Sequence, residues 1–232
     1  MVQGDAMADP PANLASMIDH TLLRPDASTE DLTKLCDEAR HYGFASVCVT
    51  SANVAFCARL LAGCSTSPIA VVGFPSGTAT TAAKVSETRE AVSSGAAEID
   101  MVLHIGQLKA KNYAYVASDI REVVQAARPR PVKVILETGA LTRDEKVIAC
   151  ALAKAAGAAF VKTSTGFGPG GATVEDVALM RQIVGGDFGV KASGGLRTAA
   201  DARRMIEAGA NRLGASASVA IVTGMSTGAG KS

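Results

Sequence analysis

The sequence predicts a closed barrel of eight parallel strands, each followed by a helix: a single (β/α)8 TIM barrel. Three observations predict it. Short runs of apolar and β-branched residues recur about every 28 residues between positions 16 and 215. Each run is nearly continuous rather than alternating, as in strands buried on both faces. Helical patterns fill the gaps, and alternating strands and helices make a parallel sheet. Eight such units in 232 residues lie near the short end of the barrel size range. A doubly wound open sheet is the runner-up, but eight regular units fit closure better.

The strand candidates are, in order, SMIDH (16–20), ASVCVT (45–50), IAVVGF (69–74), EIDMVLH (98–104), VKVILET (132–138), FVKTST (160–165), GVKAS (189–193) and RLGA (212–215). After the first strand, Leu32, Leu35, Cys36 and Ala39 repeat at helical spacing behind Ser28, an N-cap candidate. Thr142, Thr173 and Thr198 each stand three residues before an acid (Glu145, Asp176, Asp201). That is capping-box spacing, although Asp reaches back less well than Glu. Gly43, Gly63, Gly95, Gly157 and Gly209 sit where helix C-terminal glycines belong. Residues 1–12 are expected as a flexible N-terminal segment, 13–223 as one barrel domain, and 224–232 as a flexible tail.

Composition removes several function classes. There are 23 basic and 22 acidic residues, a net charge of +1. That balance argues against nucleic-acid or polybasic membrane binding. No run approaches the ~18 apolar residues of a membrane span. The N-terminus lacks the basic start and apolar stretch of a signal peptide. Five Cys, odd in number and mostly in apolar segments, read as buried thiols in a reducing compartment, so the expected location is cytoplasmic. There is no C-x-x-C pair, and His20, His41 and His104 stand far apart, so no metal site is expected.

In such barrels the chemistry sits at the C-terminal ends of the strands. The strand residues to be explained are Asp19, Cys48, Asp100, Lys162 and Lys191. A charge inside a buried strand is expensive unless paired. Two lysines on adjacent strands, both followed by small polar residues and glycines, are hard to explain as packing. The chemical reading is a Schiff-base lysine. An amine attacks a carbonyl only when unprotonated, and burial and a neighbouring cation both lower a lysine's pKa. The second lysine supplies that cation, and an aspartate opposite moves protons. The alternative is a buried Lys–Asp network that only closes the barrel.

The strings IDHTLLRP (18–25), EIDMVLHIG (98–106), FVKTSTGFG (160–168), VKASGGLR (190–197) and RLGASAS (212–218) resemble the deoxyribose-phosphate aldolase family. They span the chain from first strand to last, and the order and spacing of K-T-S-T-G and K-A-S-G-G are highly specific. The resemblance implies a class I aldolase. It would cleave 2-deoxy-D-ribose 5-phosphate reversibly to acetaldehyde and D-glyceraldehyde 3-phosphate, in deoxyribose phosphate catabolism, with no metal and no organic cofactor. Its partners would be the sugar phosphate and aldehydes; a homodimer is compatible with it. Lys162 matches the Schiff-base lysine, Lys191 the second lysine, and Asp100 the proton-shuttling aspartate. Asp19 and Thr165 match polar pocket positions, and Cys48 a pocket cysteine of some members, with a small buried hydrophobe as its alternative role. The chain departs from the family at Thr50-Ser51, at His104, and in having no Tyr after Tyr115.

Barrel phosphate sites are commonly built from the loops after strands 7 and 8. Gly194-Gly195 and Gly214-Ala215-Ser216 occupy those loops, and Gly166 follows strand 6. Glycines let backbone N–H groups approach phosphate oxygens; the alternative is a turn-and-packing role. Arg197 and Arg212 are read as outside the site. Gly166, Gly168 and Gly171 formally spell a dinucleotide fingerprint, with Asp187 later, but Pro169 interrupts it. The terminal GAGKS has neither the first glycine nor the flanking strand and helix of a P-loop. Three functions therefore compete: the lyase, a nicotinamide-binding oxidoreductase, and a barrel that binds a sugar phosphate without turning it over.

Overall fold

The computed structural model describes residues 14–224. The expected N-terminal segment, all but the first residue of the expected tail, and the GAGKS string lie outside them. Eight parallel strands close a barrel in sequence order. They are β1 (Ile18–Thr21), β2 (Ser46–Thr50), β3 (Ser67–Val72) and β4 (Ile99–Val102). β5 (Val132–Ile135), β6 (Phe160–Lys162), β7 (Gly189–Ser193) and β8 (Arg212–Ala215) complete it. β8 pairs with β1, so the open-sheet alternative is excluded.

The helices are α1 (Thr29–Tyr42), α2 (Val54–Leu60), α3 (Thr81–Ser93), α4 (Ile105–Lys109) and α5 (Tyr113–Ala127). They continue as α6 (Arg143–Ala155), α7 (Val174–Val184), α8 (Ala199–Glu207) and α9 (Ser218–Thr223). Ser28, Thr142 and Thr198 form full capping boxes with Asp31, Glu145 and Asp201. Thr173 only half does. Its hydroxyl accepts from the Asp176 N–H at 3.1 Å, but the Asp176 carboxylate takes Lys146 Nζ at 2.5 Å instead. The shorter acid can close the box, and here a lysine outcompetes it. At Gly43 the backbone is left-handed (φ 69°), which ends α1 with its N–H on the Ala39 carbonyl.

The two faces of the barrel wall have opposite character. Outward-facing Ile18, Val47, Val49, Ala70, Ile99, Met101, Val134, Val161, Val190 and Leu213 are buried beneath the helices in the main apolar core. The interior, usually filled in this fold by branched apolar side chains, carries a small apolar cluster of Leu23, Cys48, Ile69 and Val71. Val102 and Ile135 also face inward, and much of the remaining interior is charged. Register places Asp100 beside Lys133, Lys162 beside Lys191, and Lys191 beside Arg212.

Candidate active site

A cavity of about 370 Å³ opens at the C-terminal end of the barrel. Lys162 and Thr165 from the β6 end line it, with Ser193, Gly194 and Gly195 from the β7 end. Gly166, Phe167, Gly214, Ala215 and Ser216 add to the wall, and Leu22, Leu23 and Arg24 close the β1 side. The expected phosphate residues Gly166, Gly194, Gly195, Gly214 and Ser216 thus share one cavity with the expected nucleophile. Asp19, Cys48, Asp100 and Lys191 do not border it.

Beneath the cavity lies a network of ion pairs. Lys162 Nζ donates to Asp100 Oδ2 at 2.9 Å, and Lys191 Nζ donates to the same oxygen at 2.8 Å. The other oxygen, Oδ1, accepts from Lys133 Nζ at 2.8 Å. Lys191 also lies 2.5 Å from Asp19 Oδ2. Asp19 Oδ1 accepts from Ser46 Oγ and from Arg212, each at 2.7 Å. Arg212 continues to Glu98 at 3.2 Å, and Glu98 also pairs with Lys133.

Electrostatics follow from that arrangement. Burial opposes the charge on Asp100, but Lys133, Lys162 and Lys191 override it and hold its carboxyl well below the usual carboxylate range. Asp19 is likewise held low against its burial by Lys191, Lys133 and Arg212. Burial would discharge Lys191, yet Asp100 and Asp19 raise it above the ordinary lysine range, so it is a fixed cation. Lys133 is raised against burial by Asp100 and Asp19. Lys162 is the member of this set that reaches the cavity.

The remaining expected residues divide. Thr165 stands in the cavity wall, bonded to Glu137. Asp19 is an ion-pair partner inside the barrel. Cys48 is fully buried beside Leu23, Ile69 and Val71, and burial pushes its thiol up. His104 caps α4, accepting from the Gln107 N–H at 3.4 Å, and Ser51 donates to Glu87 at 2.8 Å. His104, Thr50 and Ser51 do not line the cavity. The Gly166–Gly171 string forms the β6–α7 loop rather than a strand-to-helix turn of a dinucleotide site.

Lys133, Glu98, Arg24 and Glu137 went unread in the sequence, as did Ser46 and Arg212 as partners of Asp19. Lys133 and Glu98 sit in strings already singled out, and strand parity was the signal. Lys133 is two residues before Ile135, which pairs with Lys162, so both face inward. Arg24 lies in the β1–α1 loop, its guanidinium 2.8 Å from Asp26. Glu137 is buried just past β5, in a left-handed backbone conformation (φ 57°, ψ 62°). Such a conformation costs a residue with a side chain of order 1–3 kcal/mol and tends to cluster at functional sites. Among the described residues, no group of three His, Cys, Asp or Glu side chains is placed to hold a metal ion. No described helix is long and apolar enough to cross a membrane.

Known proteins match this chain along most of its length. The DeoC/LacD family aldolase model matches residues 14–230. A deoxyribose-phosphate aldolase of Thermoanaerobacter sp. is 59% identical over 213 residues, 90% of this chain and 96% of that protein. One from Bacillus cytotoxicus is 55% identical over 218 residues, 94% and 98% of the two chains. A crystal structure from Coccidioides immitis superposes with TM-score 0.90 at 44% identity, covering 94% of this chain and 88% of that one. The tetrameric deoxyribose phosphate aldolase of Aeropyrum pernix superposes with TM-score 0.86 at 33% identity, covering 91% and 90%.

Proposed function

Since the chain belongs to the DeoC/LacD aldolase family and is a carbon–carbon lyase, we propose that it cleaves 2-deoxy-D-ribose 5-phosphate reversibly through a Schiff base on Lys162. The observation that carries this reading is the position of Lys162. Lys162 lines the cavity, and its nitrogen donates to a buried carboxylate shared with a second lysine.

The chemistry runs as follows. The free amine of Lys162 adds to the C1 aldehyde of the open-chain sugar, and loss of water leaves an iminium. The iminium draws the electrons of the C2–C3 bond as the C3 hydroxyl gives its proton, through solvent, to Asp100. Glyceraldehyde 3-phosphate leaves, and the enamine is protonated at carbon and hydrolysed to acetaldehyde. Lys191, pinned by Asp19 and Asp100, supplies the neighbouring positive charge. Asp100 stabilises the iminium. As the iminium collapses to the neutral enamine, Asp100 loses one of its three cationic neighbours, so it can hold the C3 hydroxyl proton until the enamine takes it at carbon. That timing suits a shuttle that acts after the nucleophile has reacted.

Phosphate recognition falls to the loops that follow β6, β7 and β8 and to the β1–α1 loop. Gly166, Gly194, Gly195 and Ser216 bring backbone and a hydroxyl to the cavity surface, and Arg24 adds a guanidinium there. α9, which follows the Gly214–Ser216 loop, has only six residues, so its helix end adds little. The substrate and products are small and soluble; nucleic acid and membrane play no part in this reading. A cytoplasmic location fits the free thiols.

The test is borohydride reduction in the presence of acetaldehyde, followed by peptide mass spectrometry. The reading requires an ethyl group on Lys162. Absence of a trapped adduct, or a nicotinamide requirement for turnover, would refute it.

A further inference from the structure

Glu137 lies at the barrel mouth, yet the chemistry above leaves it unused. Its side chain is buried and does not border the cavity. Its backbone is left-handed, one of two such non-glycine residues among those described. Carboxylate Oε2 accepts from the Thr165 backbone N–H at 3.2 Å and from the Thr165 hydroxyl. Thr165 Oγ1 in turn accepts from the Phe167 N–H at 3.0 Å. The β6 loop is moulded onto this carboxylate, since a Cβ on Gly168 would fall 2.6 Å from the Glu137 carboxyl carbon.

A carboxylate can only accept, so it commits the Thr165 hydroxyl proton to itself. With one lone pair already taken by the Phe167 N–H, the hydroxyl oxygen can only accept from a ligand in the cavity that Thr165 lines. We propose that Glu137 is a positioning residue: it fixes Thr165 as a hydrogen-bond acceptor for a substrate hydroxyl and holds the Thr165–Gly168 wall in place. This rests on the aldolase reading of the cavity. It explains why a side chain occupies a backbone conformation that glycine would adopt without strain. Glycine there could not anchor Thr165.

Glu137→Gly tests the proposal because it separates packing from positioning. It relieves the backbone strain and removes the carboxylate. The variant should melt at or near the wild-type temperature and still trap acetaldehyde on Lys162. Its KM for deoxyribose 5-phosphate should rise about tenfold or more, with a smaller effect on kcat. Glu137→Gln can turn its carbonyl to Thr165 and should restore KM to within about threefold of wild type. Thr165→Val should reproduce the glycine variant's loss, and the double variant should be no worse than either single one. A wild-type KM in Glu137→Gly, no rescue by Gln, or additive losses in the double variant would overturn the proposal. If Glu137→Gly fails to fold, the Gln and Thr165→Val kinetics decide it alone. Failure of the wild type to trap acetaldehyde would count against the aldolase reading instead.

Discussion

Lys162 and Lys191 share a single oxygen. Their nitrogens lie 2.9 and 2.8 Å from Asp100 Oδ2, and Lys162 alone of the pair reaches the cavity. Among the described residues of this network, four cationic side chains (Lys133, Lys162, Lys191, Arg212) face three carboxylates (Asp19, Glu98, Asp100). Converting Lys162 from ammonium to free amine brings the set to neutrality. The proposed nucleophile and its neighbouring cation therefore differ in position, although they are the same residue type on adjacent strands.

Lys162→Ala removes the nucleophile and leaves Asp100 with Lys133 and Lys191. No carboxylate is orphaned, so the fold should persist. Cleavage and imine trapping should both disappear. More than a few per cent of wild-type activity in purified Lys162→Ala would show that another group forms the adduct.

Lys191→Leu acts differently, because it strips Asp19 and Asp100 of their common partner. Breaking a buried pair from one side costs about 3–5 kcal/mol. Denaturation should show that loss, turnover should fall by orders of magnitude, and imine formation should require higher pH. A destabilised variant with a wild-type pH profile for trapping would make Lys191 purely structural.

Stability should depend on pH at both ends. Asp19 and Asp100 are held low in the folded state. Their contribution is present above the unfolded value of about 4 and is lost as pH falls through their folded values. Lys133 and Lys191 are raised. Theirs is present below about 10.4 and is lost as pH rises through the folded values. Burial lowers His20 despite its bond to Glu38, which adds a shallow loss below about 6.5. Urea midpoints should thus be flat from about pH 7 to 9, decline slightly to 5, and fall steeply below 4. A midpoint unchanged between pH 5 and 2.5 would contradict the buried pairing of the carboxylates.

The strand order and the inward-facing Lys162 and Lys191 were legible because period and parity survive in one dimension. Eight apolar runs spaced alike leave little choice of sheet, and Lys162 and Lys191 interrupt two of them. Depth was harder to read. Asp19 and Thr165 both look like strand-end polar residues, yet one is an ion-pair partner and the other faces the cavity. Only the stagger of closed strands separates them. Lys133 was passed over because it sits low on its strand, and Arg24 because its loop reaches the cavity through the turn after β1. Glu137 gives no local signal, since left-handed backbone at a glutamate is imposed by its contacts with the neighbouring loop.

Cys48 should prove a packing residue. It sits among Leu23, Ile69 and Val71 and does not border the cavity. Cys48→Ala should leave kcat/KM within about threefold and cost the protein stability by cavity formation. Cys48→Ser should cost more, about 1–3 kcal/mol, if its hydroxyl finds no partner. A loss of activity well beyond the loss of stability would return the thiol to the substrate site.

The phosphate wall makes the sharpest demand. Arg24 is the one cationic side chain besides Lys162 in the described lining, and it is tethered by Asp26 and Asp31. Those carboxylates are exposed or half-exposed, so a phosphate dianion can compete with them through solvent-screened bonds. Ser216 faces solvent at the end of β8, where a glutamate would place a negative charge in the cavity. Ser216→Glu should therefore raise KM for deoxyribose 5-phosphate about tenfold or more, roughly 1.4 kcal/mol of binding if KM tracks Kd. Arg24→Met should act in the same direction, and its effect should shrink at high salt. Both substitutions should depress kcat/KM for unphosphorylated deoxyribose far less, because neither changes the ion pairs around Lys162. The ratio of the two kcat/KM values is the measurement. Equal losses on both substrates would mean that these residues support the barrel mouth and that the phosphate binds elsewhere.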